Sequence, residues 1–226
     1  MFDCILLLAG SGRRTGLDIN KIMYEINGRP LYEYPLNTFL NIKECNKIIL
    51  VVRSDEYDYF HALEKKNDRI KVVIGGLRRQ DSVLNGIMKV ESDYVLVHDG
   101  ARANIKRKDI LNVYEACLKY DCAALAVKEN NALKKVKDNF VECDIDRSDI
   151  YCMQTPQGAR TELLKNALMM IDEDVFDDIE AINKIFNKKA FIVLGDYTNI
   201  KFTTMDDARY LSYLLKEEEK WKIIIE

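Results

Sequence analysis

Cys4-Ile5-Leu6-Leu7-Leu8-Ala9-Gly10-Ser11-Gly12-Arg13-Arg14, followed by Lys21, is the stretch that decides the fold. An apolar run that breaks into small residues and then cations reads as a buried strand opening onto a loop, whose backbone N–H groups can approach an anion without Cβ collisions. Arg13, Arg14 and Lys21 would neutralise charge that backbone dipoles alone cannot balance. Taken alone, the same residues also suit a tight turn with a solvated basic edge. The rest of the chain separates the two.

Short aliphatic runs at residues 47–52, 70–74, 94–98 and 122–127 predict strands. Apolar spacing near 3.6 at 31–40, 57–66, 80–90 and 110–120 predicts helices between them. The repeated strand-helix order implies right-handed crossovers and an α/β fold: a Rossmann-like, mostly parallel sheet with helices on both faces. Ligands of such sheets lie beyond the carboxyl ends of the strands. Residues 9–14, Gly75-Gly76 and His98-Asp99-Gly100-Ala101-Arg102 all follow predicted strands, so three strand ends converge on one crevice.

Around Lys137-Asp138-Asn139 the apolar period changes to two, which predicts a β-hairpin. An isolated hairpin is marginal in water. Residues 132–150 are therefore expected to form a protruding arm that packs on a second subunit or over the site, and a homodimer is expected. Helices near 160–170 and 177–186, a strand at 191–194 and a last helix capped by Thr204 and Asp207 complete the order.

Composition sets outer bounds. The 226 residues suit one domain, and a formal net charge of −3 gives no reason to expect a nucleic-acid partner. No apolar run approaches the roughly 20 residues of a membrane span, and the first strand stands where a leader's cationic region would, so the expected location is cytoplasmic, without a membrane partner. Six scattered cysteines without a Cys-x-x-Cys, and only two histidines, argue for reduced thiols rather than zinc.

If the opening loop holds a nucleoside triphosphate, the other strand ends acquire tasks. Asp99 is then a magnesium ligand or, failing that, a turn cap. Arg102 could hold a second anionic group or be a surface cation. The Ser82 hydroxyl could bind a base or ribose, or bond back within its own helix. His98 reads as a hydrogen-bonded structural residue.

Leu8-Ala9-Gly10-Ser11-Gly12-Arg13-Arg14 with Lys21, Gly75-Gly76 through Arg79-Gln80-Asp81-Ser82-Val83-Leu84-Asn85-Gly86, Val97-His98-Asp99-Gly100-Ala101-Arg102, Asp146-Arg147, Gln154-Thr155-Pro156-Gln157-Gly158 and Asn199-Ile200-Lys201 occur together in this order. The set resembles the 2-C-methyl-D-erythritol 4-phosphate cytidylyltransferase family over nearly the whole chain. The resemblance implies transfer of CMP from CTP to a polyol phosphate with release of pyrophosphate, on the non-mevalonate route to isoprenoid precursors, with magnesium as cofactor.

By the same resemblance, Arg14 and Lys21 stabilise charge on the triphosphate, and Arg147 and Lys201 hold the attacking phosphomonoester. Ala9, Gly10, Gly12, Gly76 and Ser82 position CTP, while Asp99, with Gly100 and Arg102, serves the substrate and Asp99 the metal. The chain departs from the family pattern at Asn20, where a proline usually precedes the lysine, and at Ala132 and Phe176, where threonines are usual. The last two fall on the acceptor side, which keeps ribitol 5-phosphate cytidylyltransferase as the alternative. A non-catalytic nucleotide or sugar-phosphate sensor is the alternative of another class. Gly10, Gly12 and Gly16 are spaced one residue too long for a dinucleotide fingerprint.

Overall fold

The computed structural model describes residues 1–10 and 19–225, with side chains up to Lys216. In chain order the first half comprises β1 (Phe2–Leu7), β2 (Glu25–Ile26), β3 (Arg29–Pro30), α1 (Glu33–Leu40), β4 (Cys45–Val52), α2 (Tyr57–Glu64), β5 (Ile70–Ile74), α3 (Arg79–Ile87), β6 (Tyr94–Asp99) and α4 (Arg107–Tyr120). The second half comprises β7 (Cys122–Lys128), β8 (Leu133–Lys137), β9 (Phe140–Ile145), β10 (Tyr151–Arg160), α5 (Thr161–Met170), α6 (Asp178–Phe186), β11 (Phe191–Leu194) and α7 (Met205–Ile225).

Seven strands form one sheet in the order β11-β7-β10-β6-β1-β4-β5. All neighbours pair in parallel except β10, which runs antiparallel between β6 and β7. The opening run is unbroken by polar alternation because both faces of β1 are covered. Cys4 and Leu6 point into a core shared with Phe39, Phe60, Ile110 and Val113. Ile5 points the other way, toward Val83, Ile87, Leu164 and Ile182. Helices thus cover both faces, as the strand-helix alternation predicts.

Strand β10 departs from the sequence reading, which places no strand there. Its centre carries Gln154, Thr155, Pro156, Gln157 and Gly158, residues that punctuate loops in isolation. Proline is tolerated because the pairing with β7 shifts between Met153 and Gln157, so the missing N–H falls at an irregularity of the ladder. The two-residue strands β2 and β3 are too short to carry a periodic signal.

The hairpin forms as expected. Asp138 and Asn139 both take left-handed backbone conformations, at φ 50° and 68°, which Asp and Asn tolerate in a two-residue hairpin turn. Beyond Leu133, every residue of β8 and β9 is exposed, including Val136, Phe140 and Val141. All six cysteines are free, four of them buried. Among the described residues no helix is long and apolar enough to cross a membrane.

Candidate active site

Register fixes where the strand ends meet. Leu7 pairs with Val51 on one side and Asp99 on the other, and Val52 pairs with Ile74, so β1, β4, β5 and β6 end at one level. The turn after β5 lies directly against the opening loop: a Cβ on Gly75 would sit 2.7 Å from the Cβ of Ala9. Only glycine permits that approach. A Cβ on Gly100 would likewise collide with Leu8.

Asp99 ends β6, and its carboxylate is the centre of the site. Lys201 approaches Oδ2 at 2.7 Å, Arg102 approaches the same oxygen at 3.8 Å, and Arg79 approaches Oδ1 at 3.8 Å. Burial alone would push this carboxyl up, but the charges of Lys201, Arg79 and Arg102 outweigh it and hold Asp99 well below the usual carboxylate range. Asp99 therefore faces three cations, one of which, Arg79, it shares with a second carboxylate, Asp178.

Each cation is held by a different element. Arg79 opens α3, and its Nη2 meets Oδ2 of Asp178 at 2.7 Å. Asp178 is itself fixed through Gln157 of β10, whose Oε1 accepts from the Asp178 and Ile179 amides at 3.1 and 3.3 Å. Burial works against the Arg79 charge, yet Asp178 and Asp99 keep it firmly protonated. Arg102 donates to the carbonyls of Asn199 at 2.8 Å and Met153 at 3.3 Å, so most of its guanidinium ties β10 to the chain before Lys201. Lys21 donates to the Phe202 carbonyl at 3.0 Å, which sets it beside Lys201.

Behind these charges lies a buried, hydrogen-bonded layer. The Asp99 amide donates to Thr155 Oγ1 at 3.1 Å, Thr155 meets His98 Nδ1 at 3.1 Å, and His98 Nε2 meets the Arg102 carbonyl at 3.1 Å. His98 is fully buried, and burial lowers its pKa to about 4, keeping it neutral, as the structural reading expects.

The structure brings Ala9, Gly76, Lys21, Asp99, Gly100, Arg102 and Lys201 to one end of the sheet. Ser82 is there too, with its hydroxyl engaged: Oγ accepts from the Gly76 amide at 3.0 Å and donates to the Arg78 carbonyl at 3.1 Å, the back-bonding alternative. Gly12 and Arg14 lie outside the described residues; Gly10 is exposed at the loop's start. Arg147 stands apart, exposed after β9, with no ion-pair partner among the described residues.

Arg79 is the functional side chain that sequence reading left inside a motif. A signal was available: Arg78 and Arg79 sit at the start of a helix, where the macrodipole disfavours cations, so their presence needs an anionic partner. Arg78 finds Asp81, whose carboxylate also accepts from the Arg78 amide, and Arg79 finds Asp178 and Asp99.

Among the described residues no group of three His, Cys, Asp or Glu side chains gathers into a metal cage. A lone carboxylate beside a cationic crevice suits magnesium in another mode, since that ion keeps its waters and binds through one or two carboxylates plus substrate phosphates.

The fold and this crevice define an α/β enzyme built to handle phosphate groups at the carboxyl edge of its sheet. Residues 3–217 match the family described as IspD, 2-C-methyl-D-erythritol 4-phosphate cytidylyltransferase. The chain is 35% identical over 227 residues to the protein of that name from Bacillus mycoides (strain KBAB4), covering 97% of this chain and 100% of the relative. It is 36% identical over 222 residues to that of Clostridium botulinum (strain Eklund 17B / Type B), covering 95% and 99%. The crystal structure of 4-diphosphocytidyl-2C-methyl-D-erythritol synthase from Anaerococcus prevotii DSM 20548 superposes with a TM-score of 0.82 at 29% identity, over 95% of this chain and 96% of the other. The Francisella tularensis 2-C-methyl-D-erythritol 4-phosphate cytidylyltransferase gives 0.80 at 28%, over 94% and 98%. The chain belongs to the 2-C-methyl-D-erythritol 4-phosphate cytidylyltransferase family, and it is accordingly a nucleotidyltransferase.

Proposed function

We propose that the protein transfers CMP from CTP to 2-C-methyl-D-erythritol 4-phosphate, releasing pyrophosphate. The observation that carries the reading is the buried carboxylate of Asp99, ringed by Lys201, Arg102 and Arg79 at the strand ends. Such a site gathers two anions that would otherwise repel. An oxygen of the polyol phosphate attacks the α-phosphorus in line; the new P–O bond forms as the bond to the β-phosphate oxygen breaks, and pyrophosphate leaves. A phosphomonoester is already largely ionised near pH 7, so no general base is required. Positioning and electrostatic stabilisation supply the rate.

In this reading Lys21 and Arg14 stabilise charge growing on the triphosphate, while Lys201 and Arg147 orient the attacking phosphate. Ala9, Gly10, Gly12 and Gly76 let backbone approach CTP, and Ser82 acts through the Gly76 amide it accepts from. Asp99, with Gly100 and Arg102 beside it, faces the substrate and would contribute its carboxylate to magnesium carried by the triphosphate. Bound magnesium would supply further neutralisation of the phosphates. Residues 1–226 form one nucleotidyltransferase domain, and the 132–150 arm, whose exposed Val136, Phe140 and Val141 call for a cover, joins two copies as a homodimer. Six unpaired cysteines suit a reducing, cytoplasmic setting.

The test is pyrophosphate release by purified protein with CTP and magnesium, using either methylerythritol phosphate or ribitol 5-phosphate. Release with the first alone is expected. Release with ribitol phosphate alone would move the acceptor to the alternative sugar, and release with neither would overturn the reaction.

A further inference from the structure

Asn20 is 4% exposed, and both polar atoms of its side chain are engaged. Its Nδ2 donates to the Leu8 carbonyl at 3.0 Å and to Glu56 Oε2 at 2.9 Å, and its Oδ1 accepts from the Ile22 amide at 3.4 Å. Leu8 is where the opening strand ends, and its own amide is anchored to the Val51 carbonyl at 2.8 Å. Lys21 is the next residue after Asn20 and begins the 3-10 turn Lys21–Met23 that Asn20 caps. One side chain thus closes the base of the loop that leaves at Leu8 and returns at Lys21. Glu56 enters from a third element, the 3-10 turn Ser54–Glu56 after β4. These bonds run to backbone groups on either side of the loop and to one carboxylate.

We propose that Asn20 and Glu56 form a clamp that positions Lys21 for the triphosphate. Both are positioning residues rather than catalytic ones. The inference rests on the triphosphate role assigned to Lys21 and deepens it.

CTP affinity by calorimetry and steady-state turnover would be measured for the wild type, Asn20→Ala, Glu56→Ala and Glu56→Gln. Asn20→Ala and Glu56→Ala are expected to lower kcat/KM for CTP and CTP affinity at least tenfold, leaving KM for the polyol phosphate within twofold. Glu56→Gln retains an amide oxygen that accepts from Asn20, and is expected to stay within threefold of wild type. Unchanged CTP parameters in Asn20→Ala, an equal rise in KM for both substrates, or Glu56→Gln as impaired as Glu56→Ala would each overturn the clamp. Should Asn20→Ala fail to fold, the two Glu56 variants decide the matter by the same criteria. A wild type that binds CTP without releasing pyrophosphate would sink the proposed reaction, and the clamp would then stand or fall on the CTP affinities.

Discussion

The crevice around Asp99 and the arm formed by β8 and β9 are rich in the same residue types, and they treat them in opposite ways. In the crevice Asp99 and Asp178 are buried, and Arg79, Arg102 and Lys201 are held around them by bonds from β10, α3, α6 and the chain before Lys201. In the arm Lys134 pairs with Asp144 and Lys135 with Glu142, all in solvent, beside the exposed Val136, Phe140 and Val141. Exposed pairs contribute about 0–1 kcal/mol, whereas stripping one partner from a buried pair costs about 3–5 kcal/mol. The crevice is therefore preorganised by one chain, while the arm is a surface whose energy is realised only against something else.

The strongest way to break this comparison is Asp99→Asn. It leaves Lys201 and Arg102 without their carboxylate and Arg79 with Asp178 alone, so turnover is expected to fall a hundredfold or more, with about 3–5 kcal/mol of stability lost in urea unfolding. Lost turnover at unchanged stability would show that the buried charges are not balanced by this carboxylate. Arg147→Ala, at the foot of the arm, is expected to lower kcat/KM for the polyol phosphate about 100- to 1,000-fold, by analogy with oxyanion donors, while the unfolding curve does not move. Equal damage to CTP binding would contradict the division of labour between the two regions.

A pH series sharpens the contrast. His98 titrates near 4 when folded and near 6.5 when unfolded, so the unfolded chain binds the extra proton between those values. The stability that comes from burying the neutral ring is fully present above about pH 6.5 and is lost as pH falls toward 4, with a slope approaching 1.4 kcal/mol per pH unit. Replacing the ring in His98→Asn should flatten that slope in urea melts at pH 5 and 7.5; an unchanged slope would place the sensitivity elsewhere. The smallest effect on stability belongs to the arm. Val136→Ser with Phe140→Ser should change the unfolding free energy of the isolated chain by no more than about 0.5 kcal/mol, yet shift sedimentation toward the monomer. A double variant that remains dimeric would remove the arm from the subunit contact.

Much of this was legible because period and punctuation are local properties. Strands β1, β4, β5, β6 and β7 show as aliphatic runs, the helices as 3.6-spaced faces, and the hairpin turn as Asp138-Asn139. The Thr204 and Asp207 cap is present in the bonds between their side chains and amides. Strand β10 was not legible, because its glutamines, threonine, proline and glycine are loop-formers until β6 and β7 supply ladders on both sides. Ser82 shows the same limit. Its type and position allow a ligand contact, yet its hydroxyl is turned onto Gly76 and Arg78 by the tight β5–α3 turn.

The sequence by itself determined the alternating architecture, the convergence of three strand ends and the presence there of Asp99 and of the loop leading to Lys21, since each follows from spacing along a chain whose strands must run side by side; Lys201 was placed only by the family resemblance. Only the tertiary structure decided which cation faces which anion: that Arg79, 20 residues before Asp99, reaches it through a helix start fixed by Asp178, that Arg102 is spent largely on carbonyls, and that Asn20 closes the loop onto Leu8 and Glu56. Those pairings depend on distances across the sheet, where burial makes a few ångströms decisive, and no pattern along the chain encodes them.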